Sequence, residues 1–199
     1  MAHRPALRPS SLAAALSSLA LLASGCTAAT PRGMTASPDY LTAPTNPALK
    51  EAVTVTAVRG GDSSRAGVPW IASGDFEKAL VDSLRRAGYL APSAGEAQYT
   101  LEADIVEATI QNDDRPFRNL QYDENVTSTI RYRLRDVRRG VTLLDRRVEA
   151  PYTAANGTGT LTATRIRVAD EGSARESIEA LVDELDRLRV REGEDGQAD

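Results

Sequence analysis

Residues 126–152, VTSTIRYRLRDVRRGVTLLDRRVEAPY, carry the clearest structural pattern in the chain. Apolar side chains recur at alternate positions of the first half, at Val126, Ile130, Tyr132 and Leu134. Threonines and arginines occupy the positions between them, and this alternation predicts a strand with one buried and one exposed face. A three-residue turn at 138–140, with Gly140 in the left-handed conformation, would return the chain as an antiparallel strand.

This turn sets the register of the predicted hairpin. The inward pairs are Leu134 with Leu144, Ile130 with Val148, Val126 with Tyr152, and Tyr132 with Arg146. The outward pairs are Arg133 with Asp145, Thr129 with Glu149, and the like-charged Arg131 with Arg147. Every inward pair but one is apolar or small, so one face of the hairpin should cover a hydrophobic core.

Outward from the hairpin, the same periodicities predict three further elements. Alternating residues indicate strands over 52–58 and 99–105, and helical spacing indicates a helix between them over 73–87. Ser73 or Asp75 is a candidate N-cap for this helix. The strand over 99–105 has Tyr, Leu, Ala and Ile on one face and polar residues on the other.

A longer helix is expected over about 165–190, after polar or Gly- and Thr-rich loops over 111–125 and 153–164. Its apolar residues lie four and three positions apart, at Ala174, Ile178, Leu181, Leu185 and Leu188. The element order β-α-β-β-β-α predicts an α+β two-layer sandwich, a four-stranded mostly antiparallel sheet with both helices on one face. A short coiled-coil dimer is the alternative use of the last helix.

Composition narrows the classes of function. The chain has 199 residues with 24 basic and 28 acidic side chains, a size that suits one domain. Its single histidine is His3 and its single cysteine is Cys26. The chain beyond them therefore lacks the residues for a zinc site, a thiol nucleophile, a Ser-His-Asp triad or an internal disulfide. We expect no metal and no cofactor.

Residues 1–25 are typical of a secretory signal, with arginines near the start and a short apolar run after them. The run is shorter than the roughly 20 residues of a membrane-spanning helix, so cleavage is expected. The sequence LASGC over 22–26 resembles the lipobox of bacterial lipoproteins, which implies that Cys26 carries acyl chains. Thr27 stands where that family has Asp for inner-membrane retention, which implies the outer membrane, facing the periplasm. The alternative is an ordinary signal with an incidental cysteine.

The predicted organisation has four parts. After the signal come the lipidated Cys26 with a flexible tether over 26–50, a periplasmic domain over 51–190 and an acidic disordered tail over 191–199. About 21 residues of Pro-, Ser- and Thr-rich tether would span roughly 25 Å. The alternative is that part of this segment packs on the domain, with Tyr40 and Leu41 as the expected place of contact. Removal of the signal takes away two arginines and no acid, leaving 22 basic against 28 acidic side chains, a net charge of −6. Nucleic acid is therefore not an expected partner.

Two sets of charged residues are candidates for function. Glu102 and Asp104 share one face of a predicted strand and could form the acid pair of a hydrolase, or instead pair with arginines on a solvated sheet. The second set is the arginine row at Arg131, Arg133, Arg135 and Arg147, which could contact lipid phosphates, an anionic glycan or a partner protein. Its alternative is a charge-mixed outer face. Asp113 and Asp114 lack the pattern of a calcium loop.

Five segments resemble a family of small proteobacterial outer-membrane lipoproteins. They are residues 74–90, 99–103, 132–136, 150–153 and 165–172, within a match over about 53–188. In outline the body is also similar to the lipopolysaccharide-assembly lipoprotein and to auxiliary lipoproteins of lipid ABC transporters. These resemblances imply a non-enzymatic accessory module in envelope assembly or lipid transport, with an envelope protein or lipid as partner. A purely structural envelope lipoprotein is the remaining alternative.

Overall fold

A computed structural model describes residues 28–41, 46–61, 71–111, 123–155, 158 and 162–190. The elements in chain order are α1 (Pro31–Met34), β1 (Val53–Gly60), α2 (Ser73–Arg86), β2 (Tyr99–Gln111), β3 (Glu124–Asp136), β4 (Thr142–Ala154) and α3 (Thr162–Arg187). Short 3-10 turns lie at Pro38–Tyr40 and Pro47–Leu49. The predicted signal, Cys26, the Asp113 and Asp114 pair and the predicted acidic tail lie outside the described residues. No helix in the described part of the chain is long and apolar enough to cross a membrane.

The four strands form one sheet in the order β1-β2-β3-β4. β1 is parallel to β2, with α2 as the crossover, and the other two pairs are antiparallel. Helices α2 and α3 contribute to a single core cluster with the sheet. The predicted α+β sandwich is confirmed.

The predicted hairpin register is confirmed from the Val126–Tyr152 pair to the Leu134–Leu144 pair. The tip differs from the prediction, because the register shifts by one and Arg135 pairs with Thr142. Gly140 has a φ of 66°, the left-handed conformation that the turn requires.

The ends of three elements also differ from the prediction. Helix α2 begins at Ser73 with Ala72 in the N-cap position, so no side chain caps it. Asp75 instead pairs with Lys78 at 2.9 Å. A bulge between Ile105 and Glu107 shifts the alternation of β2, which continues to Gln111 instead of ending near residue 105. Helix α3 runs from Thr162 to Arg187 rather than over 165–190.

The apolar stripe of α3 is buried within the chain. Its first four predicted members, Ala174, Ile178, Leu181 and Leu185, are at most 1% exposed in the core cluster. The stripe therefore covers the sheet of its own chain, which argues against its use as a coiled-coil seam.

Small hydroxyl side chains let α3 approach the sheet closely. Ser173 Oγ accepts a hydrogen bond from the Ser128 amide at 2.9 Å and lies 2.7 Å from the carbonyl oxygen of Ala150. One turn further along α3, Ser177 shares a hydrogen bond with the Tyr132 hydroxyl at 3.0 Å. Burial raises the pKa of Tyr132, although the bond to Ser177 acts in the opposite direction.

The chain before β1 departs most from the prediction. Met34 and Leu49 are fully buried in the core cluster, and Ala29 and Ala36 are nearly so. Helix α1 packs on both α2 and α3. The prediction of a flexible tether over 26–50 is therefore wrong for the described residues of that range, which form part of the helical layer.

Side-chain hydrogen bonds reinforce this packing. The Ala36 amide donates to Ser83 Oγ on α2 at 3.0 Å. Asn46 Nδ2 donates to the carbonyl oxygens of Leu185 and Leu188 at the end of α3, at 2.9 and 2.7 Å. These bonds satisfy polar groups that would otherwise be buried without partners.

Candidate functional site

The candidate site is the face of the sheet that points away from the helices, which we call the outer face. It is formed by alternate residues of the strands, and its charged members include Arg59, Glu102, Asp104, Arg131, Arg133, Arg135, Asp145, Arg147 and Glu149. The register places Glu102 opposite Arg133 and Asp104 opposite Arg131. Rows of opposite charge therefore alternate across neighbouring strands.

The two acids proposed as a hydrolytic pair do lie together, but arginines contact three of their four carboxylate oxygens. Arg133 Nη2 lies 3.0 Å from Glu102 Oε2 and 2.9 Å from Asp104 Oδ2. Arg59 Nη1 approaches the same two carboxylates from β1, at 3.3 and 3.4 Å. The hydrogen bond to Glu102 and its charge raise the pKa of Arg59. Two guanidinium groups thus hold both acids, an arrangement typical of a surface ion-pair network.

Arg131 forms a separate pair with Asp145. Its Nε and Nη2 atoms lie 2.7 and 2.5 Å from the two carboxylate oxygens, a bidentate contact. The hydrogen bonds from Arg131 hold the pKa of Asp145 below its ordinary value. Asp145 lies directly opposite Arg133 in the register, yet its contact is diagonal, because Arg133 turns to the acids of β2. This diagonal contact also offsets the like-charge pair of Arg131 and Arg147.

The other two arginines of the row have different surroundings. Arg135 Nε donates to the Gly140 carbonyl oxygen at 3.0 Å and so fastens the hairpin turn. Arg147 is exposed on β4, the edge strand, and within the described residues it has no carboxylate within ion-pair distance. The structure therefore places Arg133 in the network with Arg59 and the two acids of β2, and gives Arg131 its own pair with Asp145. Arg135 and Arg147 lie at the margins of these contacts.

This arrangement limits what most of the outer face can bind. To reach Arg59, Arg131 or Arg133, a phosphate or other anion would have to displace Glu102, Asp104 or Asp145 from the guanidinium groups that they already contact, whereas Arg147 holds no such acid among the described residues. A partner surface with charges of both signs can instead form ion pairs with successive rows of the outer face. Among the described residues, no group of three or more His, Cys, Asp or Glu side chains could hold a metal ion.

The sequence predicted a tether before β1, with packing only as an alternative at Tyr40 and Leu41, although it holds a signal for the docked segment. The deeply buried residues are instead Met34 and Leu49, and Tyr40 is 40% exposed. Thr30, Ser37 and Asn46 each precede a proline, and each of these prolines begins a short helical turn. A polar N-cap followed by proline at the first helical position is a recognised start of a helix. Three such starts within 17 residues indicate local order rather than a tether.

No family model matches the chain, and no curated protein matches it. Solved structures share its backbone outline. A hypothetical protein from Chlamydia trachomatis has a TM-score of 0.48 and 14% identity, covering 68% of this chain and 98% of that one. A DUF330 protein from Xanthomonas campestris has a TM-score of 0.47 and 15% identity, covering 72% and 90%.

A minor lipoprotein from Acinetobacter baumannii has a TM-score of 0.40 and 12% identity, covering 69% of this chain and 93% of that one. Proteins named as lipoproteins of proteobacteria are thus among the chains with a similar outline. At this level of identity the similarity concerns the fold, and a shared fold does not transfer a function.

Proposed function

We propose that this chain is an outer-membrane lipoprotein that faces the periplasm. In this proposal residues 1–25 are removed and Cys26 carries the acyl chains. The observation that supports it is the sequence LASGC over 22–26, which places the chain's single cysteine at the lipidated position of a lipobox. Several acyl chains, each contributing about 0.8 kcal/mol per buried CH₂, would make the anchor effectively permanent.

We further propose that the folded body is a non-enzymatic accessory module that binds an envelope protein through the outer face. The observation that carries this step is the network in which Arg59 and Arg133 hold Glu102 and Asp104. An acid pair that served hydrolysis would need oxygens free for substrate or water. In this network Glu102 Oε2 and both carboxylate oxygens of Asp104 lie 2.9 to 3.4 Å from guanidinium nitrogens.

The alternating charges favour a protein partner over a lipid headgroup. A partner protein can present acids and bases in complementary rows, whereas lipopolysaccharide and phospholipids present mainly negative charge. Exposed ion pairs are screened by salt, so binding through the outer face should weaken as ionic strength rises. The partner would serve envelope assembly or lipid transport.

Fractionation tests the anchor. The Cys26→Ser chain should be recovered in the soluble periplasmic fraction, and the unchanged chain in the outer membrane. If the Cys26→Ser chain still fractionates with membranes, the lipid anchor is not what holds the protein there.

Crosslinking in the native envelope tests the outer face. The tagged chain, its Asp145→Lys variant and a control Arg85→Glu variant on the exposed side of α2 are crosslinked, extracted in detergent and compared by mass spectrometry. We expect a reproducible envelope protein with the unchanged chain and the control, and its loss with Asp145→Lys. Enrichment of lipopolysaccharide or phospholipid instead would favour the lipid contact. Equal capture by all three chains would contradict a role for the outer face.

A further inference from the structure

The first described residues after the proposed lipidation site are fixed to the folded body. Ala29 is 1% exposed. At the next position, the Thr30 amide and hydroxyl both donate to Glu171 Oε1 on α3, each at 2.9 Å. The first described contacts with the body therefore begin at the third residue after Cys26.

Further contacts hold the segment along α3. Arg175 Nη1 donates to the Gly33 carbonyl oxygen at 3.2 Å, and the Ser37 amide donates to Glu179 Oε1 at 2.8 Å. Gly33 lies so close to α3 that a Cβ atom there would come within 2.3 Å of the Glu171 carboxyl group. Glu171, Arg175 and Glu179 are four residues apart, so they form one row along the helix.

These contacts limit the distance between the body and the anchor. Successive Cα atoms are 3.80 Å apart, so the three steps from Cys26 to Ala29 reach at most about 11 Å. A tether over the whole of 26–50 would have a typical span of roughly 25 Å. The docked segment removes most of that freedom.

We propose that the anchored protein lies directly against the bilayer surface, with the Thr30–Glu171 contact next to the lipid headgroups. This inference rests on the proposed lipidation of Cys26. Its partner surface is the lipid bilayer itself. The start of α1 and the adjoining turn of α3 face the membrane. The body therefore keeps a defined orientation instead of moving freely at the end of a flexible tether.

Energy transfer to labelled lipids measures this distance. The lipidated chain has no free thiol, so a donor dye on Glu176→Cys, an exposed position of α3, labels a single site. The protein is reconstituted in vesicles of phosphatidylethanolamine and phosphatidylglycerol that carry an acceptor on the headgroup. A second chain has a Gly/Ser insertion between Thr27 and Ala28, which leaves every described contact intact.

An insertion of about 20 residues adds roughly 25 Å of reach, so we expect transfer from the inserted chain to fall to about half or less of that from the unchanged length. Met34→Asp should release the segment and lower transfer in the same direction, while Asp39→Asn, an exposed control on the same segment, should not. Equal transfer with and without the insertion would overturn the close docking while leaving the anchor intact. Flotation with the vesicles measures membrane attachment separately. A chain that does not float with them would overturn both the lipid anchor and the close docking.

Discussion

The substitution Met34→Ala distinguishes an N-terminal segment that is docked on the body from one that is flexible. Met34 is 0% exposed and belongs to the core cluster, although it lies 19 residues before the first strand. Replacing a fully buried methionine with alanine removes its packing and leaves a cavity, at a cost of about 2–5 kcal/mol. A flexible tether would contribute almost nothing to stability at this position.

The assay is urea and thermal unfolding of the mature chain with Cys26→Ser, followed by circular dichroism. A loss of about 3 kcal/mol in the free energy of unfolding should lower Tm by roughly 6–12 °C for a domain of this size. Tyr40→Ala is the matched control, because Tyr40 lies in the same segment but is 40% exposed, and it should cost less than about 1 kcal/mol. If Met34→Ala unfolds at the same urea concentration as the unchanged chain, the segment does not dock in solution.

Three further outcomes follow from the burial and the ion pairs. Leu181→Asp should abolish the cooperative unfolding transition, since an unpaired buried charge costs several kcal/mol, whereas Arg187→Asp on the exposed side of α3 should retain it. Burial raises the pKa of Tyr132 in the folded state, so the stability that Tyr132 contributes is complete below its unfolded pKa near 10 and is lost as the pH rises further. Tyr132→Phe should therefore flatten the decline of Tm at alkaline pH. An unchanged slope would contradict the raised pKa of Tyr132. The pH dependence from Asp145 has the opposite sign, because hydrogen bonds from Arg131 lower its pKa in the folded state. The stability that Asp145 contributes is present above its unfolded pKa near 4 and is lost on acidification, so Asp145→Asn should reduce the fall of Tm at acid pH. An unaltered fall of Tm at acid pH would refute the pairing of Asp145 with Arg131.

The hairpin was predictable because the apolar alternation of its strands and the glycine of its turn indicated the same register. Alternation fixed the inward face of β3, and the glycine at position 140 supplied the one left-handed residue of the turn. A slip by one residue would have turned Leu134 and Ile130 to solvent. The register was therefore determined by burial, which sequence patterns report well.

The charged network was only partly predictable. The register places Arg133 between Glu102 on one side and Asp145 on the other, and sequence cannot decide which acid it contacts. In the structure Arg133 contacts the two acids of β2, and Arg59 reaches the same acids because β1 pairs in parallel with β2. Such choices rest on tertiary neighbours that no local pattern specifies.

The docked segment escaped prediction for a different reason. Its buried residues, such as Met34 and Leu49, are separated by short turns, so they show neither a helical nor a strand period. Their burial arises from contacts with the helices and the core cluster, which lie far from them in the sequence. Periodicity detects regular elements, and this segment has almost none.

The intact mass of the protein purified from its native envelope distinguishes a lipidated Cys26 from an unmodified one. We predict a chain that begins at Cys26, without residues 1–25, with added mass equal to a diacylglyceryl group and a further acyl chain. A mature chain with an unmodified Cys26, or one cleaved at another position, would contradict the account.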